Sequence, residues 1–156
     1  MVADGMGLGS TLTAAYIHWP KLNVLDSGDS RCYLLRNNKI QLLTRDQTVT
    51  QQLCDCGKIS LEQAENSSFR HVLSNAIGSD RNLEAMAYQQ PLKLNDRLLL
   101  CSDGVNQHLS DHELEDLLSA EQPSQLISET IIALVNYRGG LDNSTVIVAA
   151  IESPIR

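Results

Sequence analysis

Four short β-type stretches follow one another up to Leu43, with turn signals between them and no helical pattern to interrupt them. Ser10 to His18 is β-rich with rough alternation. Trp19-Pro20-Lys21 then makes a turn, and Leu22-Asn23-Val24-Leu25-Asp26 is a second strand that ends at Ser27-Gly28-Asp29-Ser30. Arg31 to Arg36 is a third. Asn37-Asn38 is a two-residue hairpin signal, because asparagine tolerates the left-handed backbone such turns require, and Lys39 to Leu43 follows it. The chain therefore opens as an antiparallel meander. Met1 to Gly9, with three glycines in nine residues, reads as a loop after a very short strand end.

The middle of the chain changes character. Thr48 to Cys56 reads as a short helix closed by Gly57, and Ser60 caps a second through Glu65. Phe69 to Ile77 fits neither period and stops at Gly78. These pieces are short and polar, so they predict a surface subdomain. Core patterns return with a strand over Leu83 to Pro91, a turn at Asn95-Asp96 and a buried strand over Arg97 to Cys101. Ser110 and Glu113 form a capping-box start for a helix to about Leu118. Pro123 opens another helix, in which Leu126, Ile127, Ile131, Leu134 and Val135 recur at helical spacing until Arg138-Gly139-Gly140. Ser144 to Ile151 is a closing strand. The fold class is α+β in one domain over residues 1–156.

Composition narrows the partners. The net charge of −7 argues against nucleic acid or an anionic membrane surface. The chain carries no signal peptide and no long apolar run, which predicts a soluble, cytoplasmic protein. Cys32 and Cys101 sit in apolar strand patterns as small buried residues, and Cys54-x-Cys56 is too tightly spaced for an ordinary zinc site. Among the histidines, His108 stands nearest an aspartate motif, five residues after Asp103, yet an exposed loop histidine is the commoner case.

The chemistry gathers at aspartates. Leu98-Leu99-Leu100-Cys101-Ser102-Asp103-Gly104 carries a leucine run into a carboxylate, and Gly104 is expected to let the chain turn behind it. Asp4-Gly5, Gly28-Asp29-Ser30 and Asp142-Asn143 place three more carboxylates at strand ends. Each alone is ordinary turn chemistry. Together they supply the oxygen ligands that Mg²⁺ and Mn²⁺ prefer.

Gly9-Ser10-Thr11-Leu12, Asp26-Ser27-Gly28-Asp29-Ser30-Arg31, Leu43-Thr44-Arg45-Asp46, Ser102-Asp103-Gly104 and Asp142-Asn143-Ser144-Thr145-Val146-Ile147-Val148 occur in the order and context of the PPM family. These are the metal-dependent, type 2C-like Ser/Thr protein phosphatases. Cys56 to Ala64, running to Arg70 through Gly78, resembles the flap of the bacterial branch, here at about residues 47–82. The resemblance covers nearly all of residues 2–151. It implies an αββα sandwich of two antiparallel sheets flanked by helices, with a binuclear Mn²⁺ or Mg²⁺ centre at one end. Asp4 would bridge the metals and the Gly5 carbonyl would ligate one. Asp103 and Asp142 would hold the other, and Asp29 matches a position that helps bind a third, weaker ion. A metal-bound water would attack phosphoserine or phosphothreonine of a phosphorylated protein.

The chain also departs from the family. Asp4-Gly5-Met6-Gly7 runs directly into Leu8-Gly9-Ser10-Thr11, where members continue into two long helices, and the strand bearing the phosphate-clamping arginine has no counterpart. Gln107 stands where many members carry a further acidic ligand. The expected sandwich is therefore truncated, with one sheet face open. Arg31 is expected to serve as a structural arginine near its own strand end. Three roles compete: a Mn²⁺- or Mg²⁺-dependent phosphatase, a catalytically impaired module that binds a partner through the open face or the flap, and a homo-oligomer whose copies cover each other's open face.

Overall fold

The computed structural model describes residues 9–78 and 83–152. Its strands are β1 (Leu12–His18), β2 (Lys21–Ser27), β3 (Arg31–Arg36), β4 (Lys39–Leu42), β5 (Met86–Pro91), β6 (Arg97–Cys101) and β7 (Val146–Ala150). Its helices are α1 (Val49–Asp55), α2 (Leu61–Glu65), α3 (Asp103–Asn106), α4 (Asp111–Ser119) and α5 (Ser124–Tyr137). The strands form two antiparallel sheets, ordered β1-β2-β5 and β4-β3-β6-β7. The α+β sandwich expected from the sequence is present.

The four-stranded sheet is covered on both faces, and this explains its sequence. Cys32, Leu34 and Leu98 point into one core, against Leu22 and Val24 of the other sheet. Tyr33, Leu35, Leu99 and Cys101 point into a second core, against Leu114, Leu118, Ile127, Ile131 and Val135 of α4 and α5. A strand buried on both sides carries apolar residues at every position rather than at alternate ones. Asn37 and Asn38, with φ of 52° and 57°, make the β3–β4 hairpin turn. Ser110 and Glu113 close the expected capping box of α4, and Ser60 and Gln63 close one for α2. Arg97 reaches across to the Leu118 and Ala120 carbonyls, at 2.6 and 2.5 Å, and satisfies the end of α4.

The three-stranded sheet is different. Its inner face contributes Ile17, Leu22, Val24 and Tyr88 to the inter-sheet core. Its register puts Leu12, Tyr16 and Leu25 on the outer face, where they are 50, 66 and 51% exposed. Among the described residues no helix lies over that face.

One buried polar group sits between the sheets. Asp26, at 1% exposure, accepts a 2.5 Å hydrogen bond from Thr13 Oγ1, while its Oδ2 has no partner. Burial pushes its carboxyl up to about 6. The Thr13 hydroxyl pulls it back, and the Asp46 charge adds to the rise. The folded protein therefore holds this proton more tightly than the unfolded chain, so the Asp26 contribution to stability falls as pH rises through the window between about 4 and 6. Urea unfolding at several pH values is expected to show the stability difference between Asp26→Asn and wild type moving in the variant's favour from pH 4 to pH 7. A difference that stays constant over this range would remove Asp26 as a titrating group.

Candidate metal centre

Strand register assembles the candidate site. Arg31 of β3 pairs with Cys101 of β6, and Cys101 pairs with Val146 of β7. Asp29 lies two residues before Arg31, Asp103 lies two after Cys101, and Asp142 lies four before Val146. All three aspartates therefore emerge at the same end of the four-stranded sheet. Gly28 delivers Asp29 there. Its φ of +119° and its contact with Thr11, which a Cβ would meet at 2.4 Å, leave room for glycine alone.

Ser102 ties two of these loops together. Its amide donates to the Thr145 carbonyl at 3.1 Å, its hydroxyl accepts from the Thr145 amide at 3.0 Å, and the hydroxyl faces the Asn143 carbonyl at 3.4 Å. The segments leading out of Asp103 and Asp142 are thus stitched side by side. Gly104 tightens the seam. It does not turn the chain, as the sequence suggested, because it lies within the short helix α3. Its value is closeness: a Cβ there would meet the Asn143 carbonyl oxygen at 2.6 Å and the Ser144 hydroxyl at 2.7 Å.

The carboxylates differ in setting. Asp29 is half-buried and pushed up to about 6, first by burial and then by the charges of Asp103 and Asp46. Its own backbone hydrogen bond and Arg31 oppose the rise. Asp103 accepts from Gln107 Nε2 at 3.0 Å, which gives Gln107 a role as an orienting amide in the place of an acidic ligand. Asp142 is exposed and accepts from the Asn143 amide at 2.7 Å. Among the described residues no three acidic, histidine or cysteine side chains lie close enough together to hold a metal ion. Asp4 and Gly5 lie outside the described residues. What the residues do offer fits a hard divalent cation in kind: carboxylate oxygens at one sheet end, and a negative field at Asp29 that a bound cation would relieve.

Positive groups near the site are already committed. Arg31 grips Asp46 through Nε and Nη2, both at 2.8 Å, and reaches the Tyr33 hydroxyl through Nη1 at 3.0 Å. It is the structural arginine expected. Arg45 pairs with Asp55. His108 Nε2 accepts from the Leu141 amide at 3.2 Å, so it braces the loop before Asp142. Sequence reading left Ser102, Tyr33 and Asn106 without roles. The only signal for Ser102 was its place beside Asp103.

No family model matches the chain. Among individual proteins, the serine/threonine phosphatase stp of Listeria welshimeri is 35% identical over 145 residues, which are 93% of this chain and 58% of that protein. The solved serine/threonine phosphatase of S. agalactiae superposes with a TM-score of 0.91 at 29% identity, covering 96% of this chain and 62% of that one. The proteins this chain resembles are bacterial PPM-type Ser/Thr phosphatases. A third likeness bears on the metal: the catalytic domain of the Ser/Thr protein phosphatase PstP, solved in complex with two manganese ions, matches with a TM-score of 0.82 at 33% identity, over 94% of this chain and 60% of that chain. The chain thus spans about three-fifths of the length of these PPM-type relatives. Among its described residues no helix is long and apolar enough to cross a membrane.

Proposed function

We propose that this chain carries the metal-holding part of a PPM-type protein phosphatase that hydrolyses phosphoserine or phosphothreonine on proteins. The observation that carries the reading is the register that brings Asp29, Asp103 and Asp142 to one end of one sheet, in a chain whose solved relatives are phosphatases. Asp103 and Asp142 would hold Mn²⁺ or Mg²⁺, Asp29 would help hold a weaker third ion, and Asp4 with the Gly5 carbonyl would complete a second position. The chemistry such a cation would supply is the activation of water for hydrolysis near neutral pH. Ser102 and Gly104 would keep the Asp103 and Asp142 segments in contact, and Gln107 would hold the Asp103 carboxylate through Oδ2. Arg31 and Arg45 are engaged with Asp46 and Asp55, so the substrate phosphate would be gripped by a group beyond these two.

The test is Mn²⁺-dependent hydrolysis of p-nitrophenyl phosphate and of a phosphothreonine peptide by wild type and by Asp103→Asn. Changes to the residues that hydrogen-bond metal ligands cost about 10–100-fold, so loss of a ligand itself is expected to lower the rate at least about 100-fold. Mn²⁺ is also expected to raise the melting temperature of wild type and not of the variant. Equal rates for the two proteins would overturn the assignment of Asp103.

A further inference from the structure

The hydroxyl of Tyr33 lies where the start of β3, the end of α3 and the start of α4 meet. The ring is fully buried in the helix-side core, where an apolar residue would pack as well. The oxygen is what sets it apart. Arg31 Nη1 donates to it at 3.0 Å, it donates to Asp111 Oδ1 at 3.0 Å, and the Asn106 side-chain amide stands at 3.3 Å. Burial holds the phenol protonated, well above its ordinary range, although Arg31 acts against this.

Each neighbour leads somewhere useful. Arg31 is two residues from Asp29 and grips Asp46 through its remaining nitrogens. Asn106 ends α3, the short helix that Asp103 begins, and Asp111 begins α4. A phenol oxygen has one hydrogen and two lone pairs. With the hydrogen given to Asp111 and one lone pair taken by Arg31, one lone pair is left for Asn106. Asn106 Nδ2 is buried, and with the amide oxygen toward the phenol it has no acceptor. Turning the amide so that its NH₂ faces Tyr33 would give Nδ2 the phenol's remaining lone pair, at the expense of the 3.6 Å contact from Cys101 Sγ to the amide oxygen.

We propose that Tyr33 is a positioning residue for the metal centre: its hydroxyl fixes α3, and through it the Asp103 carboxylate, against the Arg31–Asp46 pair beside Asp29. The inference rests on the reading of Asp103 as a metal ligand. Tyr33→Phe keeps the ring and the core and removes the junction.

The experiment is calorimetric titration of the whole chain with Mn²⁺ alone, comparing wild type, Tyr33→Phe, Asn106→Ser, Asp103→Asn and Ile131→Val. The last trims a buried side chain of α5 that makes none of the hydrogen bonds at Tyr33, and serves as the stability control. The outer partners of metal ligands typically tune affinity about 10–100-fold, so Tyr33→Phe is expected to weaken Mn²⁺ binding by about tenfold, with Asn106→Ser moving the same way. Ile131→Val is expected to lower the melting temperature and leave Mn²⁺ affinity unchanged. Wild-type affinity in both Tyr33→Phe and Asn106→Ser would overturn the inference, as would an equal loss in Ile131→Val. Unchanged binding in Asp103→Asn would instead overturn the ligand assignment beneath it.

Discussion

Gly104→Ala is expected to abolish the response of this protein to Mn²⁺ and to lower its stability by about 1–3 kcal/mol, the usual cost of forcing an extra carbon into a packed site. The contact decides the size of the effect. The new Cβ would stand 2.6 Å from the Asn143 carbonyl oxygen and 2.7 Å from the Ser144 hydroxyl. The hydroxyl can rotate away, but the carbonyl is backbone and moves only with its loop. That loop carries Asp142 and is held to Ser102 by the bonds through Thr145. Relief of the clash therefore separates the two carboxylates assigned to one metal. Gly57→Ala separates this effect from backbone strain. Gly57 has a φ of +67° and nothing within 4 Å of its missing Cβ, so its alanine variant costs stability by conformation alone and leaves the Mn²⁺ response intact. Thermal shift with and without Mn²⁺ reads both variants. A wild-type shift in Gly104→Ala would show that the seam between the two loops does not control the metal.

The two glycines also show where sequence reading stopped. Asp-Gly at a strand end looks like a turn, and nothing local distinguishes a glycine that turns from one that admits a carbonyl from 39 residues away. Tyr33 was hidden in the same way. Within Cys32-Tyr33-Leu34-Leu35 it reads as core, and its ring is core. Two of the three partners of its hydroxyl lie 73 and 78 residues further on, where no pattern along the chain points to them. Asp26 was the last residue of an expected strand with no role of its own, yet the strand runs on to Ser27 and the side chain falls between two sheets.

What was legible depended on local rules that burial then enforced. The leucine run of β6 is continuous because that sheet is covered on both faces. The Asn37-Asn38 turn and the Ser110–Glu113 box are satisfied within a few residues of themselves. Asp29, Asp103 and Asp142 were legible as like positions, and strand register brings these three to one end of the sheet. The opening of the three-stranded sheet was legible as well, since Leu12, Tyr16 and Leu25 fall on one face whatever covers them.

Asp96→Ala is expected to produce the largest loss of stability, about 3 kcal/mol or more, because it leaves a partly buried guanidinium without its carboxylate. Asp96 is 1% exposed, at the far end of the sheet from Asp103. Its Oδ1 accepts from Arg36 Nε at 2.9 Å, and its Oδ2 accepts from Arg36 Nη2 at 2.6 Å and from the Lys93 amide at 2.7 Å. Its own carbonyl accepts from the Ile151 amide at 2.9 Å, so the residue ties β3, the β5–β6 turn and the chain after β7 to one point. Burial works against the ionised form, but the Arg36 fork and the Lys93 amide outweigh it and hold the carboxyl below its ordinary range. The sign is opposite to that of Asp26. The stabilising contribution of Asp96 is present above the ordinary carboxylate range and is lost as pH falls through its depressed pKa. Urea unfolding of wild type and Asp96→Ala is therefore expected to show a gap at pH 7 that narrows as pH falls below the ordinary aspartate pKa of about 4, with Mn²⁺ affinity unaltered. A gap under about 1 kcal/mol at pH 7, the ceiling typical of exposed pairs, would mean that the Arg36–Asp96 pair behaves as a surface ion pair despite its burial.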